Sequence, residues 1–209
     1  GYQQGLAAVA KLRDLLETSP SVTEFPDAQP LPEIEGSIVF EDVNFAYVED
    51  NPVLKNINFK IQTGETIAIV GPTGGGKSTV AKLATRFYDP SSGRVLIDGY
   101  DIRNVQLESL RKQIGVVPQE PFLFAGSIRE NVGFSRPEAS DDEIIEALDA
   151  SGLMPMVDSL PDGIDTVIHE RGASLSAGER QLIAISRAFL SKPRVLVLDE
   201  ATSNLDLQS

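Results

Sequence analysis

Gly71-Pro72-Thr73-Gly74-Gly75-Gly76-Lys77-Ser78-Thr79 constrains what this chain can become more than any other stretch. It follows an apolar run, Thr66 to Val70, and precedes Val80 to Arg86, whose apolar residues recur at helical spacing. The spacing predicts a buried strand, a tight turn and a helix, in that order. Glycines let successive backbone N–H groups turn inward around an anion, because no Cβ stands in the way, and the helix that follows adds the positive end of its dipole. Lys77 is then placed to reach the β- and γ-phosphates of a nucleotide, and the Ser78 hydroxyl to ligate Mg²⁺. A merely flexible turn would need neither the lysine nor the full G-x-x-x-x-G-K-[ST] pattern.

Composition narrows the partners. The 209 residues, 41% of them hydrophobic, can bury a proper core. No apolar run reaches the ~18 residues that would mark a membrane span. With no cysteine, disulfides and thiolate metal sites are ruled out. Lysine and arginine number 18 against 31 acidic residues, a formal charge of −13. A field of that sign repels a nucleic-acid backbone, so no nucleic-acid partner is expected. It also repels a nucleotide, so phosphate binding has to rest on local amides and on Lys77.

Taken in order, the chain places Leu6, Val9, Ala10, Leu12, Leu15 and Leu16 mostly on one face of a helix over Gln3 to Glu17. Pro26, Pro30 and Pro32 then mark an extended linker that crosses a surface up to Gly36. Two alternating segments, Ser37 to Tyr47 with a break near Asp42 and Asn56 to Ile61, predict antiparallel strands ahead of the phosphate loop. Tyr47 ends the first, where its ring can face a ligand. Beyond the loop, strands are expected at Gly93 to Asp98 and Ile114 to Val117, with a helical segment at Gln106 to Lys112 between them. Gln119 follows the second strand at its carboxyl end, the side where α/β sheets bind ligands, and can offer a carbonyl oxygen to a metal while its amide orients a water. Helices are expected over Asp141 to Leu153 and Arg180 to Leu190. Before the latter, Leu175-Ser176-Ala177-Gly178-Glu179 sets a serine hydroxyl and a glycine amide at a helix start, a second arrangement suited to an anion. The run Arg194 to Leu198 reads as a central parallel strand buried on both faces, and Asp199-Glu200 stands at its tip. Asp199 there can hold Mg²⁺ through a water, and Glu200 can act as general base toward an attacking water. His169 has no second ligand nearby and reads as a surface residue.

These motifs together resemble the ATP-binding domain of an exporter-type ABC transporter. The phosphate loop, Gln119, Leu175 to Glu179, Asp199-Glu200 and Ser203-Asn204-Leu205-Asp206 occur in that family's order, and the likeness runs from about Ser37 to Asp206. It implies an α/β fold: a P-loop NTPase core with a mostly parallel central sheet, an N-terminal antiparallel β-subdomain, and a helical subdomain at about 120–190 within an ATP-binding domain of 37–209. It implies that Tyr47 stacks on adenine with Val53 beside it, that Gln119 belongs to the Q-loop and that Asp206 belongs to the D-loop. It further implies a head-to-tail pairing of two such domains, in which Ser176 and Gly178 face the γ-phosphate held by the partner's loop. Residues 1–36 resemble the helix and linker that join an exporter's membrane domain to its ATPase, which sets the domain at the cytoplasmic face of a membrane.

Two departures from the family pattern stand out. The usual Leu-Ser-Gly-Gly-Gln carries Ala177 and Glu179 here, and the added charge has to avoid the phosphates. The family also expects a later strand ending in a switch histidine, whereas this sequence stops at Ser209 and His169 lies before the signature. On its own the sequence therefore reads as a fragment with weak or no turnover and an exposed strand edge. Beside a hydrolysing motor, two other functions remain open: a latch that holds ATP in a heterodimeric transporter, and an ABC ATPase without a membrane part.

Overall fold

The computed structural model describes Arg13, residues 20–169, Gly172 and residues 175–199; the helix expected over 3–17, Glu200 and the Ser203 to Asp206 motif lie outside the described residues. Alternation does what it predicts in the N-terminal part. Strand β1 (Ile38–Ala46) buries Ile38, Phe40, Val43 and Phe45 on one face and pairs antiparallel with β2 (Pro52–Ile61). Phe40 faces Phe59 across the ladder, their rings stacked at 4.5 Å. The break near Asp42 is a bulge: Asp42 takes a φ of 48°, and its N–H donates to the Asn58 side-chain oxygen at 2.8 Å in place of a ladder bond. Strand β3 (Ser92–Ile97) adds on the other side of β1, followed by the short β4 (Tyr100–Asp101), for an order β2-β1-β3-β4.

The linker is extended, as its prolines require, but it lies strapped to the domain. Leu31 and Ile34 are buried in the same core as β1 and β3. Ser109 Oγ accepts from Leu31 N at 2.8 Å and Gln113 Oε1 from Ile34 N at 2.9 Å. At its end the Asp98 carboxylate receives the N–H groups of Glu35, Gly36 and Ser37 and the Ser37 hydroxyl. Burial pushes the Asp98 pKa upward, but the Ser37 hydroxyl and the three amides outweigh it, so the net shift is downward.

Helix α1 (Lys77–Ala84) packs Val80, Leu83 and Ala84 into this core. After a 3-10 turn, Ile102–Asn104, comes α2 (Leu107–Arg111) and then β5 (Ile114–Val117). Strand β5 pairs in parallel with β8 (Val195–Leu198), with Val117 opposite Leu198. Two expectations fail here. Thr66 to Val70 forms no strand: no described segment gives it a ladder, and its backbone and side chains face solvent, Val70 being 87% exposed. A run of apolar residues becomes a strand only where a neighbour offers matching N–H and C=O groups. Strand β8 is likewise not buried on both faces, because alternate residues, Leu196 and Leu198, are exposed in a groove of about 610 Å³ that Ile67 and Ile69 also line.

The helical part follows β5. A short β6 (Gly126–Ser127) pairs with β7 (Val167–Ile168) and leads into α3 (Ile128–Gly133), α4 (Asp141–Ala150), α5 (Met154–Asp158) and α6 (Ala177–Leu190). Ile128, Val132, Leu148 and Ile183 form its own fully buried core. Helices α3, α4 and α6 each start with a complete capping box, Ser127 with Glu130, Ser140 with Glu143 and Ser176 with Glu179. Buried Asn131 bridges Phe124 and the Arg187 side chain and so ties the loop after β5 to α6.

Candidate functional site

Helix α1 begins at Lys77 because Gly76, in front of it, adopts a left-handed φ of 84°. A Cβ there would lie 2.7 Å from Leu54 Cδ2 and 3.4 Å from Val53 Cγ1, so neither the backbone angle nor the space admits a side chain. Val53 thus packs directly behind the loop. Gly74 is also left-handed, and the Gly75 N–H donates to Pro72 O at 3.0 Å, which closes the turn. Gly71, Pro72, Thr73, Gly74 and Gly75 are exposed around the mouth that this turn creates. Lys77 Nζ donates to the carbonyls of Gly71 (3.1 Å) and Pro72 (3.0 Å), folding the ammonium over the loop's own entry.

The strongest convergence joins residues far apart in sequence. Ser78 Oγ donates to Asp199 Oδ1 at 2.8 Å. Asp199 is held there by its N–H, which donates to Val117 O at 3.0 Å and continues the β5–β8 pairing past the strand ends. Two hard oxygen ligands therefore meet at the start of α1, a donor set that suits a small divalent cation. Gln119 lies exposed just past the end of β5, two residues beyond the carbonyl that receives Asp199.

Tyr47 stands at the rim, 45% exposed. Its ring meets Phe45 and Tyr88 edge-on at 4.8 and 5.2 Å, Lys82 Nζ lies 5.6 Å from its centroid, and its hydroxyl is 3.1 Å from Thr79 Oγ1. The strand-end tyrosine is therefore fixed to the phosphate-loop helix through Thr79, which is itself buried.

The second anion-suited corner lies at the start of α6, on the helical core. Ser176 and Ala177 are exposed and Gly178 half-buried. Glu179 accepts the Ser176 N–H at 2.7 Å, and Ser176 Oγ accepts the Glu179 N–H at 3.2 Å. The extra carboxylate is thus folded back onto its own helix start, and a hydroxyl used as acceptor keeps its proton for donation outward. The S-x-x-E spacing carries this cap in the sequence, where it is easily passed over beside the signature. Gln181, buried in α6, is not among the expected site residues. Its Nε2 donates to Pro118 O at 3.3 Å, linking the signature helix to the residue before Gln119. A polar residue on the apolar face of a helix is the signal that points to it.

Among the described residues no helix is long and apolar enough to cross a membrane. A profile of the ABC transporter family matches residues 54–203. The fatty acid ABC transporter ATP-binding/permease protein of Mycobacterium bovis is 46% identical over 208 residues, 99% of this chain and 32% of that protein. The ATP-dependent lipid A-core flippase of Syntrophus aciditrophicus is 45% identical over 99% of this chain and 34% of its own length. A solved structure described as a bacterial Atm1-family ABC exporter with ATP bound superposes with a TM-score of 0.90 at 41% identity, over 99% of this chain and 36% of that one. The chain thus spans about a third of the length of these relatives.

Proposed function

This chain belongs to the ABC transporter family and carries its P-loop NTPase fold, and from that premise we propose that it is the ATP-hydrolysing motor domain of an exporter. The observation that carries the proposal is the meeting of Ser78 with Asp199 at the head of a glycine-rich loop whose lysine lies across the entry. The N–H groups of Gly74, Gly76 and Lys77 donate to the phosphate oxygens, Gly75 keeps the turn closed around them, and the Lys77 ammonium moves from the loop carbonyls to the β- and γ-phosphates. Tyr47 offers its exposed face to adenine, with Val53 alongside. Ser78, Asp199 and Gln119 would hold Mg²⁺ with their side-chain oxygens. The ion, when bound, supplies charge neutralisation of the phosphate oxygens. Glu200 orients and deprotonates the water for in-line attack on the γ-phosphorus, while positioning and electrostatics lower most of the barrier.

Ser176 and Gly178 serve a second domain. The exposed corner at the start of α6 donates to the γ-phosphate on the partner's loop, so that nucleotide clasps two copies, or a copy and a relative, head to tail. Relatives that are ATP-binding/permease proteins support a membrane domain on the same polypeptide, and the proposal sets this domain at the cytoplasmic face of that membrane. In the full-length protein, Glu200→Gln is expected to leave ATP binding within about twofold of the parent and to trap the paired state, with turnover reduced about 100-fold or more. ATP hydrolysis by that variant at the parent's rate would remove the assigned role of Glu200.

A further inference from the structure

Arg86 stands two residues past the end of α1 and is fully buried, the largest such side chain among the described residues. Its backbone takes a left-handed φ of 52°. The guanidinium donates to three backbone carbonyls: Ile102 O and Val105 O at 2.8 Å each, and Thr23 O at 3.2 Å. Asp89 steers it, accepting from Nε at 3.2 Å. Thr23 lies in the linker, within the residues that resemble the connection to a membrane domain.

Most other described hydrogen bonds that hold the linker come from residues 98–113, and Arg194 adds one to Glu33; Arg86 supplies the one that ties it to the helix of the phosphate loop. At its other end that same helix carries Lys77 and Ser78. An eight-residue helix is stiff over such a length, so a displacement at its nucleotide end reaches its far end almost undiminished. We propose that Arg86 is the positioning residue that makes α1 and the linker one mechanical body, so that nucleotide binding at the loop is delivered to the linker. A lysine cannot replace it, since one ammonium on a flexible stem cannot reproduce a planar fork that spans carbonyls of two chain segments. The proposal rests on the loop being the nucleotide site.

The test uses the full-length protein in the Glu200→Gln background and reads two quantities, Mg-ATP affinity by calorimetry and backbone hydrogen exchange over residues 21–36 with and without Mg-ATP. With Arg86 present, nucleotide is expected to slow linker exchange about tenfold. Arg86→Lys is expected to keep the affinity within about twofold and to abolish that slowing, a loss of response that simple destabilisation would not produce at unchanged affinity. Should Arg86→Lys fail to fold, Asp89→Asn releases the steering carboxylate while leaving the three carbonyl acceptors, and is expected to cut the nucleotide-dependent slowing at least about threefold. Undiminished slowing in either folded variant would overturn the proposal. Absence of any Mg-ATP binding in the parent would overturn it together with the ATPase reading, whereas intact binding without a linker response would overturn the Arg86 role alone.

Discussion

At the residue scale, chemistry is legible wherever a residue type is demanded by a ligand. Lys77, Ser78 and Asp199 stand out in the amino-acid sequence alone, because a lysine after glycines and a carboxylate at a strand tip have few other reasons to be there. The fold brings Ser78 and Asp199 to 2.8 Å across 121 residues of sequence. Arg86 is less legible, because three of its partners are backbone carbonyls, which leave no trace in residue identity, and Gln181 shows only as a polar residue on an apolar helix face. Gly76 lies between these cases: the motif names it, but only the fold shows Leu54 and Val53 filling the space where a side chain would go. Gly76→Ala is therefore expected to destabilise the domain by about 1–3 kcal/mol, from left-handed strain and contact with Leu54, and to weaken nucleotide binding. Urea denaturation of parent and variant checks this, and equal midpoints would contradict it.

At the element scale, alternation locates β1 and β2, and helical spacing locates α4 and α6. What it cannot supply is a partner. Thr66 to Val70 has the composition of a buried strand and is exposed, and β8 is half-buried where its apolar run promises full cover. Whether an apolar run is a central strand depends on what lies beside it, which a local window does not contain. Helix starts are more self-contained, as the S-x-x-E boxes at α3, α4 and α6 show. At α4 the box carries a measurable pH signature. The Arg136 hydrogen bond and then the Ser140 amide hold the Glu143 pKa down from 4.5 to about 2, against burial, which raises it, with a lesser contribution from Lys192. A carboxylate with a folded pKa below its unfolded one contributes stability that is present above pH 4.5 and is lost as pH falls toward 2. The difference in melting temperature between parent and Glu143→Gln is therefore expected to be open at neutral pH and to close over that window. A difference independent of pH would contradict it.

At the scale of the whole molecule, the arrangement is an antiparallel sheet and a small parallel pair on one core, a helical part on another, and a linker strapped across the first. The order of motifs announces the fold class. Prolines announce an extended linker, but not its attachment, which depends on Asp98, Ser109 and Gln113 lying far along the chain. The net charge of −13 gives the account its central demand: attraction for a triphosphate has to come from one local cradle. Calorimetric titration of Mg-ATP into the protein and into its Lys77→Ala variant tests that demand most directly. Saturable binding at one site per chain is expected, with affinity lower by at least about 100-fold in the variant. Equal binding by both proteins, or none by the parent, would contradict it.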